Sequence, residues 1–391
     1  MNVVLLAVGL LATVWVGVFA AFARPLVARW REPVLKYPVL AIESDDWGAG
    51  PLAQADLLAR LAARLQRVCD AAGRPAVMTL GVVMEVPDGP RIAAEGGTHY
   101  RGLTLADPRF EAVRAALHAG AAAGVFVRQL HGQCHYWPDT VMAVAARDPA
   151  VRDWLVSPDP AQTEALPSPL QSRWVDASSL PSLALDSAVI RRAVADEAAN
   201  WHALFGDTPA VAVATTFVWN DAVETAWRDA GVEAVIAPGR RATCRDAAGQ
   251  PACVDRAMLS GDASSAGQVY LVRDVYFEPA LGHGPQRLAE GLAERARQGR
   301  ACLAETHRSN FLDAPEASLD ALEAGLNAAR ARCPGLRFLS PLELARAIRR
   351  RDPAWIETRF APRLRAWRAR LGEIPRFARV ARLAGLGWVL A

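Results

Sequence analysis

Val39-Leu40-Ala41-Ile42-Glu43-Ser44-Asp45-Asp46-Trp47-Gly48 opens as a short apolar run and closes in a polar cluster. That is the pattern of a strand buried on both faces which delivers its last residues to an open rim. With the first run at Val39–Glu43, similar runs recur at Ala76–Val83, Val125–Leu130, Val211–Ala214, Ala234–Ala237, Val269–Val275, Ala301–Glu305 and Leu336–Leu339. Amphipathic stretches with helical spacing separate many of them, at Gln54–Ala71, Leu185–Phe205, Asp221–Gly231 and Leu319–Arg332. Strand and helix in alternation predict βα units around a parallel sheet, either closed as a barrel or open and doubly wound. Pro149–Ser182, rich in Pro and Ser and carrying Trp154 and Trp174, reads as an insertion over one face of that sheet.

Two further polar clusters follow predicted strands: Gln129-Leu130-His131-Gly132-Gln133-Cys134-His135, and Glu305-Thr306-His307-Arg308-Ser309-Asn310. In a parallel sheet the carboxyl ends of the strands share one face, so all three clusters are expected to converge there. His131 and His135 are four residues apart, and on a helical turn that spacing sets both imidazoles on one side of a single ion. One carboxylate of the Asp45-Asp46 pair can complete a His₂Asp site, and the other can take a proton from water. Taken alone, the aspartates would read as a helix N-cap beside a solvated neighbour. His307 has the ordinary pKa of a group able to protonate a leaving amine, and the alternative is a third metal ligand or a structural histidine. His99, His118, His202 and His283 have no such partners and read as structural.

The chain has 391 residues, 52% hydrophobic, and a net charge of +3. That is enough to bury a large core, and there is no basic footprint that calls for nucleic acid as a partner. Lys36 is the single lysine, so arginine abundance is a global bias with no local chemistry to assign. Among the six cysteines there is no C-x-x-C pair, which argues against a thiolate zinc site or a redox motif. Cys244 and Cys253 bracket a polar loop and can close it as a disulfide in an oxidising compartment.

Val3–Ala23 is a run of 21 residues without a charge, long enough for a single-pass helix across the ~30 Å core of a membrane such as the bacterial inner membrane. A cleaved signal peptide is the rival reading, but the run exceeds an ordinary signal core and no basic residue precedes it. Arg24, Arg29, Arg31 and Lys36 follow the run, which places the main domain on the cytoplasmic face. A Cys244–Cys253 disulfide would argue for the periplasmic one. The chain thus divides into an anchor with its basic flank (1–35), a catalytic domain (36–351, with the insertion at about 149–182), and a basic amphipathic tail (352–391) suited to membrane lipid. The same tail also fits a solvated helix packed on the main domain.

The order of a strand-end Asp-Asp, an H-x-x-x-H and a late strand-end His resembles the NodB-homology polysaccharide deacetylases, over roughly Lys36 to Arg350. The strings E-S-D-D-W-G, Q-x-H-G-x-x-H and T-H-R-x-N-F resemble a divergent subgroup of that family. The resemblance implies a distorted (β/α)₇-type barrel preceded by the transmembrane helix. It further implies metal-dependent hydrolysis of the N-acetyl group of an amino sugar in a polysaccharide or glycolipid. Carried over, Asp45 is the catalytic base and His307 the general acid. Asp46, His131 and His135 are the ligands of a divalent metal, usually Zn²⁺ in the family. Trp47 stands where better-known members continue Asp-Asp-Gly, and their Arg-x-Pro motif is replaced by Thr216-Phe217-Val218-Trp219-Asn220. The Arg of that motif steadies the base; Arg273 and Arg308 are candidates to replace it, and Asp274 is a candidate to orient His307. Trp47, Trp137 and Trp219 are candidates to stack on sugar rings. The rival functions are another metal-dependent hydrolase such as an esterase, or a glycan-binding protein without activity. A glycosidase needs carboxylates on opposite sides of the scissile bond, which adjacent aspartates do not offer.

Overall fold

Alternation along β1 (Val39–Gly48) organises the computed structural model, which describes residues 2–390. Val39 and Ala41 face inward onto Val211, Val213, Ile236, Leu271 and Leu303, while Leu40 and Ile42 face the helical layer with Leu58, Leu117, Leu292 and Leu322. The other strands are β2 (Met78–Val83), β3 (Phe126–Leu130), β4 (Val211–Val213), β5 (Ala234–Ala237), β6 (Val269–Val272), β7 (Val275–Tyr276), β8 (Ala301–His307) and β9 (Arg337–Phe338). They form one curled sheet in the order β6-β5-β4-β3-β2-β1-β8-β7, with β9 beside the start of β1. Every pairing in it is parallel.

The predicted strand Val269–Val275 is two strands, and the split has a topological reason. β6 and β7 stand at opposite ends of the sheet yet are joined by Arg273-Asp274 alone. The Arg273 N–H still donates to Ala237 O of β5 (2.9 Å), whereas the Asp274 N–H already donates to Leu303 O of β8 (3.3 Å). Seven chain segments therefore circle the core, with the seam bridged at these two residues.

The long helices are α1 (Asn2–Ala21), α2 (Ala23–Arg31), α3 (Gln54–Arg67), α4 (Glu111–Ala122), α5 (Ser187–Phe205), α6 (Asp221–Asp229), α7 (Pro285–Arg297), α8 (Pro315–Arg332), α9 (Pro341–Arg350), α10 (Phe360–Leu371) and α11 (Pro375–Leu383). Among the described residues no single helix is long and apolar enough to cross a membrane. Leu5–Ala21 and Ala23–Arg31 reach that length and composition only as a pair bent by 66°. The continuous span expected over Val3–Ala23 thus breaks at Phe22, where the next helix starts in a new direction.

The two ends of the chain meet. Val18 and Leu26 share a core with Leu371, Phe377, Ala381 and Val389, and Phe22 packs edge-on against Phe377 with ring centroids 5.5 Å apart. The buried Arg370 guanidinium fastens this bundle to the sheet. It donates to the carbonyl oxygens of Gln298 (2.7 Å), Pro33 (2.8 Å) and Glu32 (3.0 Å), just upstream of β8 and β1. The bundle therefore sits at the amino ends of the strands. Segment 149–182 covers the other pole, where Leu155, Leu166 and Leu170 pack with Tyr136 beside the His135 loop.

Candidate metal centre and active site

β1 and β8 run in register with Glu43 opposite Glu305 and Asp45 opposite His307. Strict alternation would turn Asp46 toward the helices. Instead the pairing of β1 with β2 slips between Ser44 and Trp47, and Asp46 takes φ +74°, a left-handed conformation that Asp tolerates better than most residues. The bulge swings the Asp46 carboxylate to the rim, where Oδ1 stands 3.3 Å from His131 Nε2 and 3.2 Å from His135 Nε2. All three residues are buried.

The histidine pair meets by a different route from the helical turn predicted. Residues 131–137 form an irregular loop, broken by Gly132 at φ +106°, and the two imidazoles lie 4.8 Å apart. Buried polar groups hold the loop in shape. The Gln133 N–H donates to Glu197 Oε1 (3.0 Å), and the Arg173 guanidinium bridges Glu197 and Tyr136 O.

A divalent ion fits this donor set. His131 Nδ1 is 3.1 Å from Val213 O, so that nitrogen carries the proton and Nε2 presents a lone pair. Asp46 Oδ1 is buried without a hydrogen-bond partner. Acceptor facing acceptor across 3.2–3.3 Å is repulsive unless positive charge lies between. Ligand atoms around a tetrahedral zinc stand roughly 3.3–3.4 Å apart, given bonds of about 2.0–2.1 Å. The titration pattern agrees. Burial acts to raise the Asp46 pKa, yet the His135 and His131 rings hold it far below the ordinary carboxylate range. Burial pushes His135 down to about 4, leaving a neutral imidazole ready to ligate. His131 moves up because Asp45 and Asp46 outweigh its burial.

Asp45 faces inward, into a pocket of charge below the rim. Arg273, from the seam, reaches it with Nη1 on Oδ2 (2.5 Å) and Nη2 on Oδ1 (3.0 Å), and also touches Glu43 (3.1 Å) and Glu305 (3.2 Å). Burial would raise the Asp45 pKa, but the Arg273 guanidinium brings it down to about 2. Glu43 and Glu305 stay raised, because burial dominates over their weaker share of the same cation. Gly81 on β2 leaves room for this arrangement, since a Cβ there would meet Asp45 Oδ1 at 2.4 Å.

A carboxylate oxygen of Asp45, one of Glu305 and a ring nitrogen of His307 lie within 4.8 Å of one another. The other ring nitrogen of His307, Nδ1, is 2.6 Å from Glu278 Oε1, and Asn310 Nδ2 donates to the second Glu278 oxygen. Burial works to lower the His307 pKa, but Glu278, Asp46 and Asp45 lift it to about 10.

The structure thus brings Asp45, Asp46, His131, His135 and His307 to one rim. Of the candidates for steadying the base, Arg273 contacts it, while the buried Arg308 pairs instead with Glu164 (2.8 Å). Asp274 does not reach His307: its carboxylate pairs with Arg295 (2.8 Å) at the seam, and Glu278 holds the histidine. No motif singled out Glu278, which lies 29 residues from His307 in an irregular segment. Two of the three tryptophans are packing residues. Trp47 is buried against Phe311 and donates to Ser44 Oγ, and Trp219 is buried and donates to Glu224. Trp137 alone is part-exposed, beside the Arg173 guanidinium.

No protein-family model matches the chain, and no curated protein does. Solved structures of similar fold include a family 4 carbohydrate esterase from Streptomyces lividans in complex with acetate (11% identity, 78% of this chain and 95% of that one, TM-score 0.37). A Mycobacterium smegmatis protein assigned as a polysaccharide deacetylase is similar over 84% of this chain and 98% of its own (12% identity, TM-score 0.42). A 4-alpha-glucanotransferase from Thermococcus litoralis is similar over 78% of this chain and 39% of its own (9% identity, TM-score 0.37). At these values the likenesses carry no weight for function, which is read from the residues of the site.

Proposed function

We propose that this chain is a metal-dependent hydrolase that removes the acetyl group from an N-acetylated amino sugar in a polysaccharide or glycolipid. The observation that carries the reading is the juxtaposition on one rim of an Asp46-His131-His135 donor set, an ionised Asp45 and a cationic His307. A divalent cation of the zinc kind, held by Asp46, His131 and His135, would polarise the acetyl carbonyl and acidify a water. Asp45, ionised throughout the physiological range and fixed by two contacts to Arg273, takes the proton from the attacking water. His307, held protonated by Glu278, gives its proton to the departing nitrogen. An amine leaves poorly without a proton, so a histidine kept cationic favours amide over ester chemistry. The test is acetate release from N-acetylglucosamine oligomers compared with an O-acetylated xylan. Faster release from the ester would mark the chain as an esterase, and binding without release from either would leave a glycan-binding protein.

We further propose attachment to a membrane through α1, with the catalytic domain on the oxidising side. The basic flank at Arg24, Arg29, Arg31 and Lys36 pulls toward the cytoplasmic side. Against it stands the Cys244–Cys253 disulfide, whose Cα atoms lie 5.7 Å apart, within the ordinary span of such a bond. A reducing cytosol would not keep that bond closed. Membrane fractionation that survives high salt, and thiol alkylation of intact cells only after reduction, are the expected results.

A further inference from the structure

The terminal bundle carries two cavities that the proposed chemistry does not use. The first, about 410 Å³, is lined only by apolar and aromatic side chains of α1, α2 and α10, among them Phe19, Leu26, Trp30 and Trp367. The second, about 580 Å³, opens beside it and is lined by Arg297, Arg365 and Arg368 with Phe360. Leu364 lines both.

The arginines differ in how far they are engaged. Arg297 pairs with Glu294. Arg368 donates through Nε and Nη2 to Val389 O and Trp388 O, leaving the donors on Nη1. Arg365 is exposed and has no hydrogen-bond or ion-pair partner among the described residues. On one side, then, lies an apolar slot, and on the other are guanidinium groups without a counter-charge. The surroundings are apolar too. On α1, Leu5, Leu6, Leu10 and Val16 are 63–72% exposed, and Leu383 and Trp388 of the tail are 81% and 60% exposed.

We propose that this bundle is a binding site for an anionic phospholipid, with an acyl chain in the slot between α2 and α10 and the phosphate on Arg365 and Arg368. Charge complementarity selects this occupant. A neutral apolar ligand would leave the arginines unanswered, and a free phosphate would leave the slot empty. A phosphate accepts several charge-assisted hydrogen bonds from guanidinium groups, and each methylene of the chain adds apolar burial. The site lies at the amino pole of the sheet, away from the Asp46 rim, so it stands or falls independently of the hydrolase reading.

The experiment uses the full chain, stripped of lipid in detergent and then exposed to dioleoyl phosphatidylglycerol or dioleoyl phosphatidylcholine, with retained lipid counted by native mass spectrometry. The phosphatidylglycerol should be retained preferentially. Arg365→Gln and Arg368→Gln should each weaken that retention roughly 5-fold, the factor expected from about 1 kcal/mol per arginine near an anionic headgroup. Arg379→Gln, which changes an arginine lining neither cavity, should leave it unchanged, and Ala23→Trp should fill the slot and lower retention of both lipids. Unaltered thermal unfolding would show that the glutamine variants fold. Equal retention of the two lipids, or equal loss with Arg379→Gln, would overturn the proposal.

Discussion

The two poles of the sheet are built from the same strands by opposite rules. At the amino pole, β1 and β8 contribute Val39, Ala41, Ala301 and Leu303 to an apolar core, and the one buried guanidinium there, Arg370, answers carbonyl oxygens on several neighbours. At the carboxyl pole the same two strands end in Glu43, Asp45, Asp46, Glu305 and His307. Orphaned buried atoms collect there: Asp46 Oδ1, Glu43 Oε1, Glu305 Oε2 and Arg273 Nε lack partners. A fold keeps groups in that state where they serve binding or chemistry, since each costs stability when left unmet. The difference locates the site independently of any motif, and it can be broken by mutation at the carboxyl pole.

The largest effect is expected from removing the donor set. His131→Ala together with His135→Ala should abolish metal uptake, measured by elemental analysis, and reduce acetate release to background. If activity survives in that double variant, the donor set is not the active centre.

Next comes the acid. His307→Ala should retain metal yet lose roughly 10²–10⁴-fold in kcat on an amide, the usual worth of general acid catalysis. The loss should shrink on a nitrophenyl acetate, whose leaving group departs without a proton. Metal release from this variant would move His307 into the ligand set.

A smaller catalytic effect, with a larger cost in stability, is expected from Arg273→Gln. It strips the cation from three buried carboxylates, and breaking a buried pair by removing one partner typically costs about 3–5 kcal/mol. Denaturant unfolding should report that loss together with a lower kcat. If stability is unchanged, the contacts to Asp45, Glu43 and Glu305 do not hold in solution.

The smallest effect concerns pH. In the wild type His307 keeps its proton up to about 10, so the alkaline limb of kcat/KM should lie near there, and Glu278→Gln should move it toward the ordinary histidine value of about 6.5. The sign for stability follows from a folded pKa raised above the unfolded one. The contribution is full below about 6.5 and is lost as pH rises toward 10. The variant should therefore show a flatter stability profile across that window, and an unmoved alkaline limb would free His307 from Glu278.

The strands were legible in the sequence because both faces of a parallel sheet are buried, so each appears as an unbroken apolar run. The site was legible where chemistry sits flush against such a run, as at Asp45, His131 and His307. The H-x-x-x-H spacing identified the right pair, although its geometry comes from a glycine-broken loop and not from a helical turn. Arg273 had a faint signal, a charged residue at the close of an apolar strand, but its meeting with Asp45 across 228 residues depends on how the seam forms. Glu278 had none, because nothing local distinguishes it from an ordinary loop carboxylate. Trp47 and Trp219 looked like sugar platforms and proved to be core, since a strand end at the rim still has an inner face to fill. The meeting of the chain's two ends is likewise a tertiary event, written in scattered aromatics such as Trp15, Phe22, Phe377 and Trp388.

The central claim is that the carboxyl pole holds a divalent ion on which hydrolysis depends, and metal titration of chelator-stripped full-length protein tests it most directly. Zinc added back should bind at one ion per chain, and acetate release from an N-acetylglucosamine oligomer should return in proportion to the ion bound. Failure to bind stoichiometric metal after loading, or acetate release indifferent to chelation, would contradict it.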